Sequence, residues 1–492
     1  MRLAEHLDRP HGRGFTPERA HTGSAGGAAC GDLLRVSVAL AGDRIEAAGF
    51  DAHGCGSAIA AGSAAVALVT GRGLLDAARV GAEEIAAELG GLSPAKRHAA
   101  ELAADALHRA LGAAARAGAA LEPVAGRLLV AMSGGVDSAV AALLAGSRAV
   151  AVTLELWADP HNDGERSCCS AQAVRGARAL AHQLGLPHLS IDLRVEFRAG
   201  VVEPWLADHA GGLTPNPCVR CNGAVRLDAM IELAGRLGAG ALVTGHYART
   251  AGGLLRVAAD PHKDQSYMLA ALAPSSLRRL RFPLGELDKP AVRELAHRAG
   301  LSVARRPDSQ DLCFLAGTGR DAFLARHGGL GARPGDVLDA GGERVGAHAG
   351  AHRFTVGQRR GLGIGGGVPQ YVLATDADAN TVTIGPRAAL ATQTVALRDA
   401  VQHRPGFDRV RLRYRQEPVR CIAIAGPGGL ALELAEPVHG VAPGQIACLM
   451  DGDLIVGHAT IAARPRTAGA GAAQDPAVPP RRRPAASVIS RA

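Results

Sequence analysis

The sequence predicts an α/β protein built from several units. They are a small α+β unit, a parallel sheet with helices on both faces, and an antiparallel barrel or sandwich. Three observations predict this organisation: strand patterns that precede long apolar helical patterns in the first 120 residues, a repeated strand-then-helix pattern from Arg127, and short alternating strands after about Thr318. The length of 492 residues also exceeds what one ordinary hydrophobic core holds.

The composition is that of a folded protein, with 47% apolar and 20% charged residues. The net charge is +8, but residues 463–492 contain six Arg and one Asp, so the remaining chain carries only +3. The charge by itself is therefore weak support for nucleic-acid binding. No apolar run approaches the roughly 20 residues that span a bilayer, and the first ten residues are polar. We expect a cytoplasmic protein without membrane contact.

The first unit begins with alternating strand patterns and continues with apolar helical patterns. The predicted strands cover residues 34–40 and 45–50, and the predicted helices cover 57–69 and 94–115. The Ala/Gly-rich segment 112–119 is predicted to be a linker.

The second unit alternates strands with helices, which predicts a parallel sheet covered on both faces. Strands are predicted at 127–132, 149–156, 189–193 and 241–247, with helices at 137–144 and 168–184. The third unit has predicted strands at 410–414, 419–424, 430–434, 445–450 and 454–461. The Pro/Ala/Arg-rich tail 464–492 is expected to be disordered.

A candidate phosphate-binding loop joins the first strand and helix of the second unit: Ala131-Met-Ser-Gly-Gly-Val-Asp-Ser138. Its glycines let backbone N–H groups turn toward one anion, and the following helix adds the positive end of its dipole. No Lys-Ser/Thr pair closes the loop, which disfavours a γ-phosphate transferase. Asp137 can help to hold Mg²⁺. The loop resembles the PP-loop of ATP pyrophosphatases, which cleave ATP between the α- and β-phosphates.

Three of the nine cysteines form a candidate reactive site. Cys218 and Cys221 form a CxxC pair after a double-proline turn, and Cys313 follows almost a hundred residues later. A CxxC pair is most often a zinc or redox motif. Three thiols with an open fourth position suit a reactive site better than a closed structural zinc.

Residues 127–461 resemble the bacterial tRNA-specific 2-thiouridylases, which are ATP-dependent sulfurtransferases. Besides the loop, the matching stretches are 214–222, 244–247, 263–267, 308–314, 354–362 and 413–415. The resemblance implies a PP-loop catalytic domain at 122–320, a central connector at 321–390 and a tRNA-binding β-barrel at 391–463.

The same resemblance assigns residues to roles. ATP would be bound by Ala131, Met132, Ser133, Gly134, Gly135, Val136, Asp137, Ser138, Leu154 and Gly245. Cys221 would be the nucleophile, and Cys313 would carry a persulfide sulfur. The target base would contact Asn216, Pro217 and Cys218. The tRNA would contact His246, Lys263, Asp264, Gln265, Ser266, Arg413, Tyr414 and Gln445.

The implied reaction is 2-thiolation of uridine, at the wobble position by resemblance. ATP with Mg²⁺ adenylates the C2 oxygen, and a sulfur nucleophile then displaces AMP. The implied partners are tRNA and a cysteine desulfurase or another sulfur carrier. Cys218, Cys221 and Cys313 could instead hold an iron–sulfur cluster that binds a sulfide, and both mechanisms stay open. Two other functions also stay open: another PP-loop adenylating ligase, and an iron–sulfur scaffold with a nucleotide-binding appendage.

The first unit, residues 1–118, resembles the IscU/NifU-type iron–sulfur scaffold family. The resemblance rests on the stretches 29–32, 53–60 and 93–98, and it implies Cys30, Asp32, Cys55 and His98 as ligands of zinc or an iron–sulfur cluster. That family has a further Cys directly after the His, where this chain has Ala99. The unit is therefore expected to donate sulfur or a cluster, or to serve only as a docking module for a cysteine desulfurase.

Overall fold

The computed structural model describes residues 2–26, 31–159, 170–308, 312–365, 367–426 and 429–463. Cys30, the predicted start of the helix at 168–184, and the predicted disordered tail lie outside these residues. Within the described ranges, no helix combines the length and apolar character needed to cross a membrane.

The N-terminal unit is α+β, as predicted. A three-stranded antiparallel sheet in the order β1-β2-β3 packs against two helices, α2 and α5. Its elements are α1 (Arg2–Asp8), β1 (His21–Gly26), β2 (Leu33–Ala41), β3 (Arg44–His53), α2 (Gly56–Val69), α3 (Leu74–Ala77), α4 (Ala82–Glu88) and α5 (Arg97–Ala117). Helix α2 is buried nearly all round because small residues dominate it, and they let the sheet approach its backbone closely.

The predicted linker at 112–119 is wrong, because α5 continues through Ala117. Gly112 lies inside this helix, where a Cβ would come within 1.8 Å of the Ser190 carbonyl oxygen. The glycine therefore permits direct contact between α5 and a strand of the next domain. A Gly/Ala-rich composition suggested a flexible segment, but the small side chains instead form a close helix–strand contact.

Ion pairs fix the N-terminal unit to the second domain. Arg109 of α5 donates two hydrogen bonds to the buried carboxylate of Glu155, at 2.7 and 2.8 Å. Asp105, also on α5 and buried, accepts from Arg175 and Arg178 at 2.7 Å each. Such bidentate, largely desolvated contacts hold one geometry far better than exposed pairs do.

The second domain contains a five-stranded parallel sheet with helices on both faces, as predicted. Its elements are β4 (Leu128–Ala131), α6 (Val136–Ala145), β5 (Val150–Glu155), α7 (Ala171–Gln183), β6 (His188–Asp192), α8 (Arg194–Phe197), a π-helix (Arg198–Val202), α9 (Glu203–Ala210), α10 (Pro217–Arg220), a second π-helix (Cys221–Arg226), α11 (Leu227–Arg236), β7 (Ala241–Val243), β8 (Arg249–Ala251), β9 (Leu254–Arg256), α12 (Pro274–Arg278), β10 (Leu280–Arg281) and α13 (Lys289–Arg298). The strand order is β10-β7-β4-β5-β6, so the chain reverses its direction of winding between β4 and β7.

The two faces of this sheet have different covers. Helices α6, α7 and α13 pack on one face around Val140, Leu180 and Val292. The opposite face is covered by α11 and by α5 of the N-terminal unit, whose side chains belong to the same apolar cluster as Leu129 and Val152. The N-terminal unit thus supplies one of the helices that cover the parallel sheet of the nucleotide domain.

The connector is a small mixed sheet with its own core. It comprises α14 (Arg320–Gly328), β11 (Gly335–Leu338), β12 (Arg344–His348), β13 (Tyr371–Asp376) and β14 (Thr381–Gly385). The strand order is β12-β11-β14-β13, with β11 and β14 parallel. Its core is formed by Val337, Leu362, Val372 and Val382, among others.

The third unit is a closed six-stranded antiparallel barrel. Of the two architectures that the sequence left open, barrel and sandwich, the structure therefore shows the barrel. Its strands are β15 (Ala391–Gln402), β16 (Arg409–Arg411), β17 (Val419–Gly426), β18 (Gly429–His439), β19 (Ile446–Asp451) and β20 (Leu454–Ile461). The sequence analysis missed β15, which pairs with both β18 and β20 and so closes the barrel. The β8–β9 hairpin of the nucleotide domain adds to β20, which joins the two domains through a sheet.

We predict that Gly112→Ala lowers the stability of the full chain, because the new methyl group must displace the Ser190 carbonyl. The expected loss is about 1–3 kcal/mol, typical of an overpacked contact. Thermal unfolding followed by circular dichroism measures it. Gly176→Ala is the matched control, because this glycine also lies in a helix but has open space at its Cβ position. Equal melting temperatures for Gly112→Ala and the wild type would contradict the prediction.

Candidate functional site

The candidate phosphate-binding loop leaves β4 and enters α6 as the sequence predicted. Gly134 has a positive φ of 75°, a conformation that glycine adopts without strain. The Ser133 N–H donates to Ser138 Oγ at 3.1 Å, and that hydroxyl donates to the Gly135 carbonyl at 3.0 Å. Arg306 donates to the Gly134 carbonyl at 3.1 Å. These contacts hold the loop in shape without a bound nucleotide.

A cavity opens beside this loop, at the carboxyl ends of β4, β5 and β7. It lies where the order of the strands reverses, which is the position at which open α/β sheets bind ligands. Seven of the ten predicted ATP-binding residues line it: Ala131, Met132, Ser133, Asp137, Ser138, Leu154 and Gly245. Gly134 instead lines a neighbouring cavity with Arg306, while Gly135 and Val136 form the start of α6.

Gly245 is required for the shape of this cavity. A Cβ there would lie 2.8 Å from the Asp137 carbonyl carbon and from the Ser138 nitrogen. The predicted strand at 241–247 accordingly ends at Val243, because the next residues leave the sheet to pass against the loop. The close approach brings His246 into the wall of the cavity.

The sequence analysis missed several residues of the same cavity. Arg226, Met230 and Thr244 line it, together with Val152, Thr153 and Leu156. His246 and Gln265, which the resemblance assigned to tRNA, also line it. Arg226 follows Cys221 by five residues in the same helical segment, but its spacing carries no motif that would mark it as a pocket residue.

Asp137 does not face the cavity as an isolated carboxylate. Lys289 donates to its two oxygens at 2.7 and 2.9 Å, and the Tyr247 hydroxyl donates to Oδ1 at 2.8 Å. Burial and the neighbouring Asp137 carboxylate raise the pKa of Tyr247, so it remains a hydrogen-bond donor at neutral pH.

Lys289 also contacts Asp308 at 2.8 Å, so one ammonium group joins two carboxylates. Lys263 donates to the other oxygen of Asp308 at 2.8 Å, and Arg293 lies 3.1 Å away. Burial alone would raise the pKa of Asp308, but hydrogen bonds from Lys263 and Lys289 hold that pKa at about 2. The network links the phosphate-binding loop to the segment that leads to Cys313.

The CxxC pair lies where α10 continues into the second π-helix, whose last residue, Arg226, lines the cavity. Asn216 caps α10 by accepting from the N–H groups of Cys218 and Val219, at 3.1 and 3.4 Å. Cys221 begins the π-helix and is only 7% exposed. Burial raises the pKa of Cys218, against the opposing charge of Arg226, so its thiol is neutral at physiological pH.

The segments that carry Cys221 and Cys313 pack against the same helical region, the stretch from α8 to α9. Arg220, next to Cys221, donates to the Gly200 carbonyl at 2.8 Å. Phe314, next to Cys313, packs its ring 5.8 Å from Phe197 and 5.3 Å from Trp205. The segments that carry Cys221 and Cys313 are therefore remote in sequence but contact the same part of the fold.

Across the part of the chain that the structure describes, one set of three Cys, His, Asp or Glu side chains brings its ligand atoms within 4.8 Å of one another. It consists of Asp32, Cys55 and His98, so Cys218, Cys221 and Cys313 do not form such a set. In the N-terminal set, the Cys55 thiol and His98 Nε2 each lie 3.4 Å from Asp32 Oδ2. Cys30, the fourth predicted ligand, lies outside the described residues.

Asp32 is the buried centre of this set, while Cys55 and His98 are exposed. Burial would raise the pKa of Asp32, but hydrogen bonds from the Cys55 backbone, the Cys55 thiol and His98 outweigh it, and the pKa lies below its usual value. A charged carboxylate between a thiol and an imidazole is a donor set that suits zinc. Ala99, at the position of the missing Cys, is fully buried.

Two of the predicted tRNA-contacting residues are engaged inside the protein. Ser266 is fully buried and donates to Asp264 at 2.8 Å. Asp264, also buried, accepts from Arg411 of the barrel at 2.6 Å. Neither side chain presents a surface to RNA. They help to join the nucleotide domain to the barrel, as does Tyr267, whose hydroxyl donates to the Ile446 carbonyl at 2.8 Å.

The other predicted tRNA-contacting residues occupy three different environments. Gln265 accepts from the Tyr247 N–H at 3.0 Å, and Gln445 of the barrel donates to the Thr214 carbonyl at 2.6 Å. Arg413 is exposed at a surface groove of the barrel. Tyr414 lies beside it and carries the guanidinium of Arg415 over its ring at 5.3 Å. The exposed Arg413 and the half-buried Tyr414 are thus the members of this group best placed to meet RNA.

A glycine-containing loop beside a crevice at the carboxyl edge of a parallel sheet is the geometry of a nucleotide-binding protein, and the sequence of this loop, residues 131–138, is of the PP-loop class. Four family models match the chain. They are described as a NifU-like N terminal domain (residues 2–117), a tRNA methyl transferase HUP domain (126–317), a tRNA methyl transferase PRC-barrel domain (321–386) and an aminomethyltransferase beta-barrel domain (387–461).

Curated relatives match over nearly their whole length. The bifunctional protein NifU/MnmA of Rubrobacter xylanophilus is 42% identical over 486 residues, which cover 94% of this chain and 98% of the relative. The tRNA-specific 2-thiouridylases MnmA of Thermobifida fusca and Salinispora tropica are 43% and 45% identical, over 70% and 68% of this chain and 98% and 99% of the relatives. The chain belongs to the MnmA family of tRNA-specific 2-thiouridylases, in its bifunctional form with a NifU-like domain.

We predict that Lys289→Ala destabilises the protein, because it leaves the Asp137 and Asp308 carboxylates without their shared cation. The expected loss is roughly 2–3 kcal/mol, below the range for a fully buried pair because both carboxylates keep some contact with water. Chemical denaturation measures it. Lys96→Ala is the control, because this exposed lysine lies on the surface of the N-terminal unit, and its change should stay within about 0.5 kcal/mol. Equal losses in the two variants would contradict the prediction.

Proposed function

We propose that this chain catalyses ATP-dependent 2-thiolation of uridine in tRNA, by adenylation of the C2 oxygen followed by sulfur transfer. Curated relatives that match about 70% of the chain carry the name of tRNA-specific 2-thiouridylases, and one that matches 94% is named as the bifunctional protein NifU/MnmA. One observation carries the mechanism: the helical segment that begins at Cys221 ends at Arg226, which lines the cavity of the phosphate-binding loop. A thiol segment and a nucleotide cavity with a common wall suit a reaction that activates a base and then attacks it.

The first step activates the base. The C2 oxygen of uridine attacks the α-phosphorus of ATP, the bond from that phosphorus to the bridging oxygen breaks, and pyrophosphate leaves. The N–H groups of residues 133–138 and the start of α6 stabilise the negative charge on the phosphates. Asp137, which is a third exposed, could offer an oxygen to Mg²⁺, which would add further positive charge at the phosphates.

The second step replaces oxygen by sulfur. The terminal sulfur of a Cys313 persulfide attacks C2 of the adenylated base, and AMP leaves with the former C2 oxygen. The Cys221 thiolate then attacks the inner sulfur of the resulting adduct, which releases the thiocarbonyl and forms a Cys221–Cys313 disulfide.

The next turnover requires two external reactants. A thiol reductant returns the disulfide to two thiols, and a persulfide donor such as a cysteine desulfurase transfers a sulfur atom to Cys313. Both thiols belong to segments that pack against the region from α8 to α9, which supports their meeting during the reaction.

The target base and the RNA would be held at different places. We assign the base to the turn at Asn216, Pro217 and Cys218, next to the nucleophile. The exposed Arg413 and the half-buried Tyr414 offer a charge and a stacking surface to RNA on the barrel. Lys263, which is about a third exposed, can exchange Asp308 for an RNA phosphate.

We favour the persulfide over an iron–sulfur cluster at the three thiols. Desolvation raises the pKa of the half-buried Cys218, and within the described residues this thiol does not join Cys221 and Cys313 in a compact ligand set. A thiol kept in its neutral form is a poor metal ligand.

We further propose that Asp32, Cys55 and His98 bind a zinc ion or an iron–sulfur cluster, and that the N-terminal unit supplies sulfur to the catalytic domain. The three ligand atoms are already gathered, and two of the residues are exposed to a partner. The alternative role, docking of a cysteine desulfurase without metal binding, remains distinguishable by experiment.

We predict that Cys221→Ser and Cys313→Ser each abolish 2-thiouridine formation and leave pyrophosphate release intact, because adenylation needs neither thiol. Mass spectrometry of nucleosides from tRNA incubated with ATP, cysteine, a cysteine desulfurase and a thiol reductant measures the product. Cys421→Ser, which changes a buried barrel thiol, is the control and should retain activity. Thiolation by either active-site variant would contradict the relay. The absence of any modified base from the wild type would instead support a scaffold function.

We predict that Cys218→Ala retains at least a tenth of the thiolation activity, because the persulfide mechanism does not use this thiol. Anaerobic purification with iron and sulfide assays provides the second measurement. Active wild-type protein should contain no iron bound by these three thiols. Iron and labile sulfide that disappear in Cys218→Ala, together with activity, would support the cluster mechanism instead.

We predict that the full chain binds about one zinc ion through the N-terminal set, and that Cys55→Ala or His98→Ala removes this binding. Isothermal titration with zinc at neutral pH measures it, with the exposed His53→Ala as the control. Unchanged zinc binding in Cys55→Ala and His98→Ala would exclude the set and leave only the docking role.

A further inference from the structure

Arg226 lines the nucleotide cavity, and its charge has no counter-ion among the described residues. Its Nη2 donates to His246 Nε2 at 3.2 Å. Among the residues that the structure describes, Arg226 Nε is buried without a hydrogen-bond partner, and no carboxylate lies within the 4.0 Å of an ion pair. Most buried polar groups in proteins have a partner, so an orphaned guanidinium nitrogen beside a cavity indicates a missing ligand.

His246 does not remove this charge. A guanidinium group only donates, so the Nε2 atom that contacts it must accept. The proton of the ring is then on Nδ1, which donates to the Thr244 hydroxyl at 2.9 Å. Burial and the Arg226 charge lower the pKa of His246 to about 3, so the ring is neutral at physiological pH. The Thr244–His246 pair therefore orients Arg226 and leaves it positively charged.

The other charged residue that lines the cavity is already compensated. Asp137 is paired with Lys289, which in turn contacts Asp308. The uncompensated charge facing the cavity is therefore that of Arg226. A partly buried cation without a partner is costly. An anionic ligand such as a phosphate fits the guanidinium group, because two of its oxygens can each accept one of two parallel N–H donors.

We propose that Arg226 binds the α-phosphate of ATP and keeps this contact while that phosphate becomes part of the adenylated base. This inference rests on the proposed function. In the proposed reaction, the N–H groups of the loop 133–138 and of the start of α6 hold the phosphates that leave as pyrophosphate. Arg226 lies in the wall of the same cavity, at the end of the π-helix that begins at Cys221. The phosphate that stays on the base must lie toward this thiol, so Arg226 meets the α-phosphate.

The contact has a consequence for both chemical steps. The distribution of negative charge over the α-phosphate oxygens changes as the C2 oxygen attacks. These oxygens remain negatively charged on AMP as AMP departs. A fixed guanidinium stabilises that charge in both steps. Because Arg226 and Cys221 share one helical segment, the same element positions the phosphate and the thiol.

Nucleotide binding to full-length Arg226→Gln tests the proposal directly. Isothermal titration with adenosine, AMP and ATP separates the phosphates. We expect adenosine affinity to be unchanged and both AMP and ATP affinities to fall ten- to a hundredfold, the range for a lost charge-assisted hydrogen bond. Arg226→Lys should recover part of the loss, because it restores the charge without the fork. Arg236→Gln, an exposed residue on α11, is the matched control.

The outcomes separate this proposal from its alternatives. Weakened binding of ATP alone would assign Arg226 to the β- or γ-phosphate and overturn the α-phosphate assignment. Equal weakening of adenosine would indicate a structural role and also overturn it. In single-turnover assays with tRNA, pyrophosphate release by Arg226→Gln should fall about 10²–10³-fold, while persulfide labelling of Cys313 stays at the wild-type level. A wild type that binds AMP through Arg226 but forms no thiouridine would contradict the proposed function and leave the phosphate contact standing.

Discussion

Lys289 is the side chain on which the geometry of the catalytic domain depends. Its ammonium group contacts Asp137 of the phosphate-binding loop and Asp308 of the segment that leads to Cys313. A partly buried carboxylate without a cation is costly, so Lys289 favours the meeting of these segments, although Asp308 also pairs with Lys263 and Arg293. The same contact joins the phosphate-binding loop to the segment that carries the proposed sulfur carrier, Cys313.

The N-terminal unit is part of the same structural framework. Helix α5 covers the face of the parallel sheet opposite α6, and Arg109 and Asp105 pair with buried or partly buried partners in the catalytic domain. The unit is therefore docked through a defined interface and is not a freely tethered module. Curated relatives without this unit match about 70% of the chain, so the docking interface is an addition to a domain that exists independently elsewhere.

The nucleotide cavity is lined both by residues that the sequence resemblance assigned to ATP and by residues that it assigned to tRNA. Thr244, His246 and Arg226 form one wall of this cavity. The sequence resemblance gave His246 and Gln265 to tRNA, whereas both line the nucleotide cavity. Asp264 and Ser266 are buried and hold the barrel against the nucleotide domain. Residues of one sequence motif can therefore have different roles, some packing the domains together and others lining the cavity.

The sequence by itself determined the α/β class, the parallel sheet, the phosphate-binding loop and the family, because these rest on local patterns: hydrophobic periodicity, glycine in a strand–helix turn, and short motifs in a fixed order. It also led to seven residues of the nucleotide cavity. Only the tertiary structure decided that residues 112–117 belong to a docked helix, that β15 closes the barrel, and that Arg226 and Lys289 face the loop. These features depend on contacts between residues far apart in the chain, and such contacts leave no periodic signal in a single sequence.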